Sequence, residues 1–270
     1  MNNLVIVRGG GDLASGVILK LHRCGFRVLV LESDDPSCIR RTVSFGDSVH
    51  IGSVTLEGTT AVFAGSTAEI GAIWDKGQVP VLSDESGFIL SILKPMAVVD
   101  AIIAKKNLGT SKKMAPITIA LGPGFEAGVD VDTVIETNRG HDLGRLIFEG
   151  TASENTGVPG VVGGFGIERV IYSSKAGRLT HTRKIGDRVA KGETIAAIDG
   201  TDVVASIDGV LRGLIREGSV PEGMKIADID PREGSEGYCF TISDKANALG
   251  GAALEALLIG VRKHGFSLDQ

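Results

Sequence analysis

The 270-residue chain has only three cysteines, and Cys24, Cys38 and Cys239 lie far apart without forming a CxxC or Cys/His cluster. An odd, scattered set excludes a disulfide framework and a structural zinc site of the usual spacing, and it favours a reducing compartment. Proline is also scarce at 8 residues, and neither a charge excess nor a glycine period is present. Disorder and collagen-like structure are therefore excluded.

Long basic runs and long apolar runs are absent as well. The formal net charge is −5, and basic residues occur in short pairs such as Arg40-Arg41. A nucleic-acid binder usually carries a basic footprint, so we expect no nucleic-acid partner. No apolar stretch approaches the roughly 18 residues that cross a bilayer, and the N-terminus lacks the basic segment of a signal peptide. We therefore expect a cytoplasmic protein that does not enter a membrane.

The first forty residues instead show the alternation of a βαβ unit. Residues 4–7 form a short apolar run, three glycines follow, and Leu13, Val17 and Leu21 repeat at helical spacing. The next apolar run, 27–31, ends at Glu32. Similar runs predict strands at 54–56, 60–63, 79–82, 97–104, 117–121 and 131–135, and a helix at 66–76. Continuous apolar runs of this kind are typical of a parallel sheet covered by helices.

A nucleotide-binding pattern lies where the first strand is followed by the first helix. It reads Gly9-x-Gly11-x-x-Ala14, and Glu32 ends the next strand. Glycines permit close approach of a phosphate, a helix N-terminus attracts anions, and an acidic residue can hold a ribose hydroxyl. The predicted cofactor-binding residues here are Gly9, Gly10, Gly11, Asp12, Ala14 and Glu32. Asp12 departs from the usual pattern because it occupies the place of a pyrophosphate, and the alternative is that Asp12 caps the helix while the glycines only allow close packing.

A dense polar cluster at 136–145 follows the strand predicted at 131–135. Open α/β sheets bind ligands at the carboxyl ends of their strands, so Arg139, His141 and Asp142 are candidate catalytic residues. His141 can act as a base or bind an anion or a metal, and Arg139 can bind a carboxylate or phosphate. A single histidine gives no metal-site spacing, so no metal site is predicted. The alternative is a solvated loop with local ion pairs.

Gly122 and Gly124 follow the strand predicted at 117–121, in a loop with more glycine than a simple turn needs. They are candidates for contact with the same ligand, and the alternative is a bulge at a sheet edge. Neither this loop nor the similar loop at 155–160 contains a nucleophile with an evident base. Covalent catalysis is therefore not predicted.

Between residues 168 and 230, glycine-containing turns separate short β-type runs. The sequence pattern of residues 185–196 is repeated in residues 217–227, and a hairpin-like stretch lies between the two copies. This arrangement resembles the barrel-sandwich hybrid of biotinyl and lipoyl domains. Those carriers have a lysine at the hairpin tip, where this chain has Asp199-Gly200-Thr201-Asp202. The resemblance therefore implies the fold without covalent biotin or lipoate.

Together these patterns predict an α/β fold with a Rossmann-like parallel sheet, an α/β extension and a small all-β module like a barrel-sandwich hybrid. Residues 1–110 are the predicted Rossmann-like nucleotide-binding domain, and 111–166 are the α/β extension with its polar loops. The β module is 167–233. In 234–270 we expect a helix that is capped by Ser243, ends at Gly265 and packs back on the α/β part.

Strings along nearly the whole chain resemble the accessory proteins of selenium-dependent molybdenum hydroxylases, the YqeB-like proteins. They are RGGGDLASG (8–16), VDA (99–101), AKKN (104–107), LGPGF (121–125), ET (136–137), RGH (139–141), NTG (155–157), GVLRGLI (209–215), DIDPR (228–232) and ISDKA (242–246). The first half is also similar to XdhC-type factors, which deliver sulfurated molybdenum cofactor to xanthine dehydrogenases. At 102–103 the family more often has Arg-Met, whereas this chain has Ile102-Ile103.

The resemblance implies a role in maturing a selenium-dependent molybdenum hydroxylase. The implied partners are that hydroxylase or its maturation machinery, and the implied ligand is the dinucleotide form of the molybdenum cofactor or another nucleotide. A homo-oligomer is compatible with this reading, and enzyme activity stays open. Two other classes remain: an NAD-dependent oxidoreductase, and a structural adaptor that docks through its β module.

Overall fold

The apolar runs of the first 150 residues form the strands of one nine-stranded sheet in the computed structural model, which describes residues 3–267. The strands of this sheet are β1 (Leu4–Arg8), β2 (Arg27–Glu32), β3 (Ser53–Leu56), β4 (Thr59–Ala64), β5 (Val79–Ser83), β6 (Ala97–Asp100), β7 (Ile117–Leu121), β9 (Thr133–Ile135) and β10 (Leu146–Ile147). A separate two-stranded ribbon pairs β8 (Glu126–Ala127) with β11 (Gly150–Thr151).

The strand order is β10-β9-β7-β6-β1-β2-β5-β4-β3. The seven strands from β9 to β4 in that order are parallel, and β10 and β3 pair antiparallel at the two edges. After β1 the chain first builds the β2 side and later returns to add β6 on the other side. The order therefore reverses between β1 and β6, at the centre of the sheet.

Within residues 3–267, five α-helices accompany the strands. They are α1 (Asp12–Arg23), α2 (Ser48–Ile51), α3 (Ile70–Asp75), α4 (Ile89–Leu93) and α5 (Asp244–His264). The helix predicted at 66–76 is shorter than expected, because its first turn, Thr67–Glu69, is a 3-10 turn. For α5, the Ser243 hydroxyl accepts a hydrogen bond from the Ala246 N–H, and Gly265 ends the helix with φ +67°. These two ends agree with the prediction.

The strand predicted at 97–104 is wrong beyond Asp100, where β6 ends. The Asp100 carboxylate accepts a hydrogen bond from the Ile102 N–H at 3.2 Å, which turns the chain out of the sheet. Ile103 and Lys105 then adopt φ values of +59° and +63°. Such a conformation costs a β-branched residue about 1–2 kcal/mol. The hydrogen bond to Asp100 thus ends the strand, although the apolar run continues in the sequence to residue 104.

The segment 111–166, predicted as an α/β extension, contributes strands and loops but no α-helix. Its strands β7, β9 and β10 continue the sheet that β1 begins. The helix that covers them is α5, which packs against α1, β7 and β9.

The residues from 156 to 241 form a second compact unit together with Ser37–Val43, while the sheet and α5 form the first. The second unit consists of two four-stranded antiparallel sheets with the orders β12-β19-β17-β14 and β16-β15-β13-β18. Their strands are β12 (Val170–Tyr172), β13 (Gly177–His181), β14 (Arg188–Val189), β15 (Thr194–Ile198), β16 (Thr201–Val204), β17 (Gly209–Leu214), β18 (Gly218–Val220) and β19 (Lys225–Asp230). The four segment boundaries drawn from the sequence stay predictions. The fold is α/β, with a large, mostly parallel sheet and small antiparallel sheets.

Each unit has its own apolar core. In the first unit, Val5, Ile6 and Val7 of the central strand β1 are fully buried. In the second unit, Leu179, Ile195 and other side chains from both sheets pack together. Because β1 lies in the middle of the first core, the loop that follows it is held in a defined place at the carboxyl edge of the sheet.

Candidate functional site

The glycine turn between β1 and α1 is packed on one side and open on the other. A Cβ atom on Gly9 would lie 2.9 Å from the Ile102 Cα, and one on Gly10 would lie 2.6 Å from the backbone nitrogen of Gly46. Gly9 also has φ +95°, which favours glycine. Around Gly11, no atom beyond its chain neighbours lies within 4 Å of a Cβ position. Close packing therefore accounts for Gly9 and Gly10, and Gly11 leaves the start of α1 open.

The first turn of α1 has no side-chain cap. The N-cap residue is Gly11, which has no side chain to accept a hydrogen bond. Asp12 is the first residue inside the helix, so it does not occupy the N-cap position, and its charge complements the helix dipole there. Ala14 is buried. No side chain therefore caps the N-terminus of α1, and the space beside Gly11 is open.

Glu32 stands at the end of β2 and is bonded to backbone N–H groups. One carboxylate oxygen accepts from the Gly10 N–H at 2.6 Å, and the other accepts from the Ser33 N–H at 2.9 Å. The Gly46 N–H in turn donates to the Gly10 carbonyl at 2.7 Å. The short 3-10 turn Phe45–Asp47 therefore lies directly against the glycine turn and Glu32.

α1 and α5 lie side by side and run in the same direction. A Cβ atom on Gly16 would lie 2.2 Å from the Ala246 carbonyl oxygen, while one on Gly250 would lie close to both Gly16 and Lys20. Residues that lie later in α1 therefore pack against residues that lie later in α5, as expected of parallel helices. Because α1 begins at the carboxyl edge of the sheet, the N-terminus of α5 lies at that edge too. Two positive helix ends thus face the same region.

Lys245, in the first turn of α5, carries a charge in this region. Burial lowers the pKa of Lys245, and the nearby Arg139 guanidinium lowers it further, while Asp12, Glu136 and Asp244 oppose this. The ammonium group is thus within electrostatic reach of both helix N-termini and of the cluster after β9. A lysine in this place can provide a point charge for an anionic ligand.

Glu136, at the end of β9, holds the polar loop in place. Its carboxylate accepts hydrogen bonds from the N–H groups of Asn138 and Ser153, both at 2.7 Å, and the residue is 4% exposed. Burial raises the pKa of Glu136, but the hydrogen bonds outweigh it and the net pKa is lowered. Glu136 is therefore an ionised anchor for the backbone on both sides of it.

Arg139, His141 and Asp142 do not form a triad. Arg139 makes two hydrogen bonds to the Asp244 carboxylate, at 2.8 and 3.0 Å, which join the loop to the start of α5. Asp142 pairs with Arg145 at 2.9 Å, and both side chains are exposed. His141 is exposed as well. Of the three candidates, Arg139 is the one that the structure places with Lys245.

Gly122 and Gly124 are close-packed like Gly9. A Cβ atom on Gly122 would lie 2.7 Å from the Thr137 hydroxyl, and one on Gly124 would lie 2.6 Å from the Lys106 Cα. Both glycines have positive φ, +80° and +103°. Their packing brings the loops after β6, β7 and β9 together at the carboxyl edge.

A buried ion pair lies beneath these loops, where the strand order reverses. The Arg8 guanidinium is 3.8 Å from the Asp100 carboxylate and also donates to the Thr110 hydroxyl, which donates to Asp100 at 2.6 Å. Burial raises the pKa of Asp100, although the hydrogen bonds and Arg8 act against it. Arg8 also donates to the Glu85 carbonyl at 3.2 Å. This network joins the ends of β1 and β6 in a fixed arrangement.

The sequence reasoning missed Lys245 as a site residue. The available signal was its place two residues after the Ser243 cap, because a cation in the first turn of a helix opposes the dipole. Within residues 3–267, no three His, Cys, Asp or Glu side chains are grouped so that they could hold a metal ion. The helices of this described range include none with the length and apolar character to span a membrane.

No family model matches the chain. Among solved structures, it is similar to the ectoine utilization protein EutE (DoeB) from Ruegeria pomeroyi, with 12% identity, 84% of this chain and 57% of that chain covered, and a TM-score of 0.24. A succinylglutamate desuccinylase/aspartoacylase from Rhodobacter sphaeroides matches with 13% identity, 86% of each chain covered and a TM-score of 0.27. At these scores, the similarities support no argument about fold or activity.

A closer similarity is to a protein of Escherichia coli (strain K12) named "Uncharacterized protein YqeB". It is 49% identical over 259 residues, which cover 96% of this chain and 48% of the relative. The YqeB-like part of the sequence resemblance is thus confirmed. The chain is a homologue of YqeB and spans about half the length of that protein.

Proposed function

We propose that this chain is an accessory protein that helps to mature a selenium-dependent molybdenum hydroxylase, and that it binds a phosphorylated, nucleotide-bearing ligand at the carboxyl edge of its sheet. The maturation role comes from the family resemblance. The observation that supports ligand binding is the same-direction pair α1 and α5, whose N-termini share one region with Lys245 and Arg139. Helix N-termini and basic side chains together are a common environment for phosphate groups.

The strand order supports a Rossmann-like interpretation of the first unit. In open α/β sheets, ligands bind outside the carboxyl ends of the strands where the order reverses, and here this point lies between β1 and β6. The turn Gly9–Gly11 follows β1 directly. The ligand then lies over Gly11 and the ends of β6, β7 and β9, where Arg139 and Lys245 are in reach.

The internal repeat of residues 185–196 in residues 217–227 supports a barrel-sandwich hybrid for the second unit. Residues 185–196 contain β14 and the start of β15, and residues 217–227 contain β18 and the start of β19. The first copy runs from one four-stranded sheet to the other, and the second copy runs in the opposite sense between the same sheets. Such an exchange is expected of two halves related by a pseudo-twofold axis.

The proposed ligand is the dinucleotide form of the molybdenum cofactor or another nucleotide, and the proposed partners are the hydroxylase or its maturation machinery in the cytoplasm. Deleting the gene should leave the hydroxylase expressed and folded but without its active molybdenum-selenium centre. Complementation with Gly11→Val should fail, because a branched side chain blocks the open start of α1 without meeting any neighbour. Gly71→Val is the matched control, since Gly71 on α3 also faces open space. Full hydroxylase activity with Gly11→Val would contradict the proposal.

The polar cluster is tested by replacing Arg139 and His141 together with Ala. Both side chains are exposed, so the double variant should remain folded. Loss of hydroxylase activity at normal abundance of the variant would support a role of the cluster in the site. Unchanged hydroxylase activity would indicate that the polar cluster is only a solvated loop.

An adaptor role is the second candidate, and an exposed apolar segment favours it. Residues 156–167 contain no charged residue, and Val158, Val161 and Ile167 are 70%, 68% and 61% exposed. The change of Val158 and Val161 together to Ser should abolish maturation but leave ligand affinity intact if the segment docks a partner. Mass spectrometry of the purified protein and a cofactor-reduction assay would separate both candidates from an NAD-dependent oxidoreductase.

A further inference from the structure

The end of β2 in this fold is already occupied by the chain itself. The Gly46 N–H donates to the Gly10 carbonyl at 2.7 Å, so the backbone of the turn Phe45–Asp47 lies on the glycine turn. A Cβ atom on Gly46 would lie 2.7 Å from the Glu32 carboxylate oxygen, and one on Gly10 would lie 2.6 Å from Gly46 itself. No atom larger than hydrogen fits between these backbones.

In the usual dinucleotide complex, one of the two nucleosides occupies this place. There the acidic residue at the end of the second strand accepts hydrogen bonds from the ribose hydroxyls, beside the glycine turn. In this chain, the two Glu32 carboxylate oxygens accept from the N–H groups of Gly10 and Ser33 instead. Glu32 thus acts as an internal anion on the glycine turn.

We propose that the turn Phe45–Asp47 and Glu32 make the site selective for ligands that present a phosphate or pyrophosphate group to Gly11 and extend over β6, β7 and β9. A nucleoside that extends over β2 then gains nothing from Glu32. This inference rests on the proposed phosphate binding at Gly11. It names Gly46 and Glu32 as determinants of specificity and assigns Glu32 a packing role in place of the ribose contact predicted from the sequence.

The test compares three probes by titration calorimetry on the full chain: inorganic pyrophosphate, ADP, and the 2′,3′-dideoxy analogue of ADP. We expect the two nucleotides to bind with affinities within about twofold of each other, because their ribose hydroxyls meet no carboxylate. If Glu32 held the ribose, the dideoxy analogue would bind about tenfold or more weakly, since hydrogen bonds to a charged group are among the strong ones. That result would overturn the inference and leave phosphate binding in place.

Glu32→Gln gives a second measurement, with folding checked by thermal denaturation. We expect the affinities for pyrophosphate and ADP to change by the same factor. A loss for ADP about tenfold greater than the loss for pyrophosphate would overturn the inference. If neither pyrophosphate nor ADP binds the unaltered chain, phosphate binding itself fails and the inference fails with it. The two failures are therefore distinguishable.

Discussion

The Gly16 carbonyl oxygen lies 2.4 Å from the position that a Cβ atom on Gly250 would occupy. The backbones of α1 and α5 are therefore in direct contact, and no other residue fits at the crossing. This contact holds the two helix N-termini at the same edge of the sheet, so the stability of the helix pair and the geometry of the site depend on one small area.

Gly250→Ala should destabilise the protein because the added methyl group forces the helices apart. Overpacking of this kind typically costs about 1–3 kcal/mol, and we expect the upper end or more. Chemical denaturation followed by circular dichroism measures the effect. Gly251→Ala is the matched control: its Cβ would meet open space, and alanine should stabilise the helix by about 1 kcal/mol. Equal stability of both variants would show that the helices do not touch at Gly250.

Glu136→Gln should lower the free energy of unfolding at neutral pH by about 1–3 kcal/mol, since the N–H groups of Asn138 and Ser153 lose a charged acceptor. The folded-state pKa of Glu136 lies below its ordinary value of 4.5. The carboxylate therefore contributes stability above this ordinary value, and that contribution is lost as the pH falls through the lower folded-state pKa. The gap between variant and unaltered protein should close in acid. Glu149→Gln, at an exposed position, should show neither effect.

Lys245→Met should weaken pyrophosphate binding by about tenfold, because a charge near the bound anion is removed. The pKa of Lys245 is lowered from 10.5, so the unaltered protein should lose affinity at a lower pH than an ordinary lysine would allow. Calorimetry on both proteins across the alkaline range separates this loss from the titration of pyrophosphate itself. Lys263→Met, in the last turn of α5, should leave affinity unchanged. If the affinity for pyrophosphate falls with pH in the same way in the unaltered protein and in the Lys245→Met variant, Lys245 lies outside the site.

The second unit should carry no biotin, lipoate or other acyl group on residues 167–233. The tip of the β15–β16 hairpin is Asp199-Gly200, and their φ values of +45° and +77° form the tight turn of a two-residue hairpin. The Asp199 carboxylate also accepts from the Arg178 N–H at 3.0 Å, so the tip is tied to β13. Intact-mass measurement of protein purified from its native host tests this. A mass increase that maps to this region would refute it.

Local patterns were sufficient to predict the first βαβ unit and both ends of α5. The run 4–7, the spacing of Leu13, Val17 and Leu21, and the Ser243 cap depend on neighbours along the chain, and each has its expected structure. The end of β6 could not be predicted, because it depends on the bond from Ile102 to Asp100 and on packing against Gly9. The site itself depends on the contact between α1 and α5, which brings Lys245 to residues more than two hundred positions earlier. No local sequence pattern shows that α1 and α5 are in contact.

The pairing of α1 with α5 also has a consequence for synthesis on the ribosome. α1 emerges early, but its partner begins only at Asp244, after the strands of both units have been made. Until then the face of α1 around Gly16 stays uncovered, and the nascent chain has one of the two helix ends that the site needs. A chain released before α5 would therefore combine an exposed helix face with an incomplete candidate site. Such a fragment should be prone to aggregation.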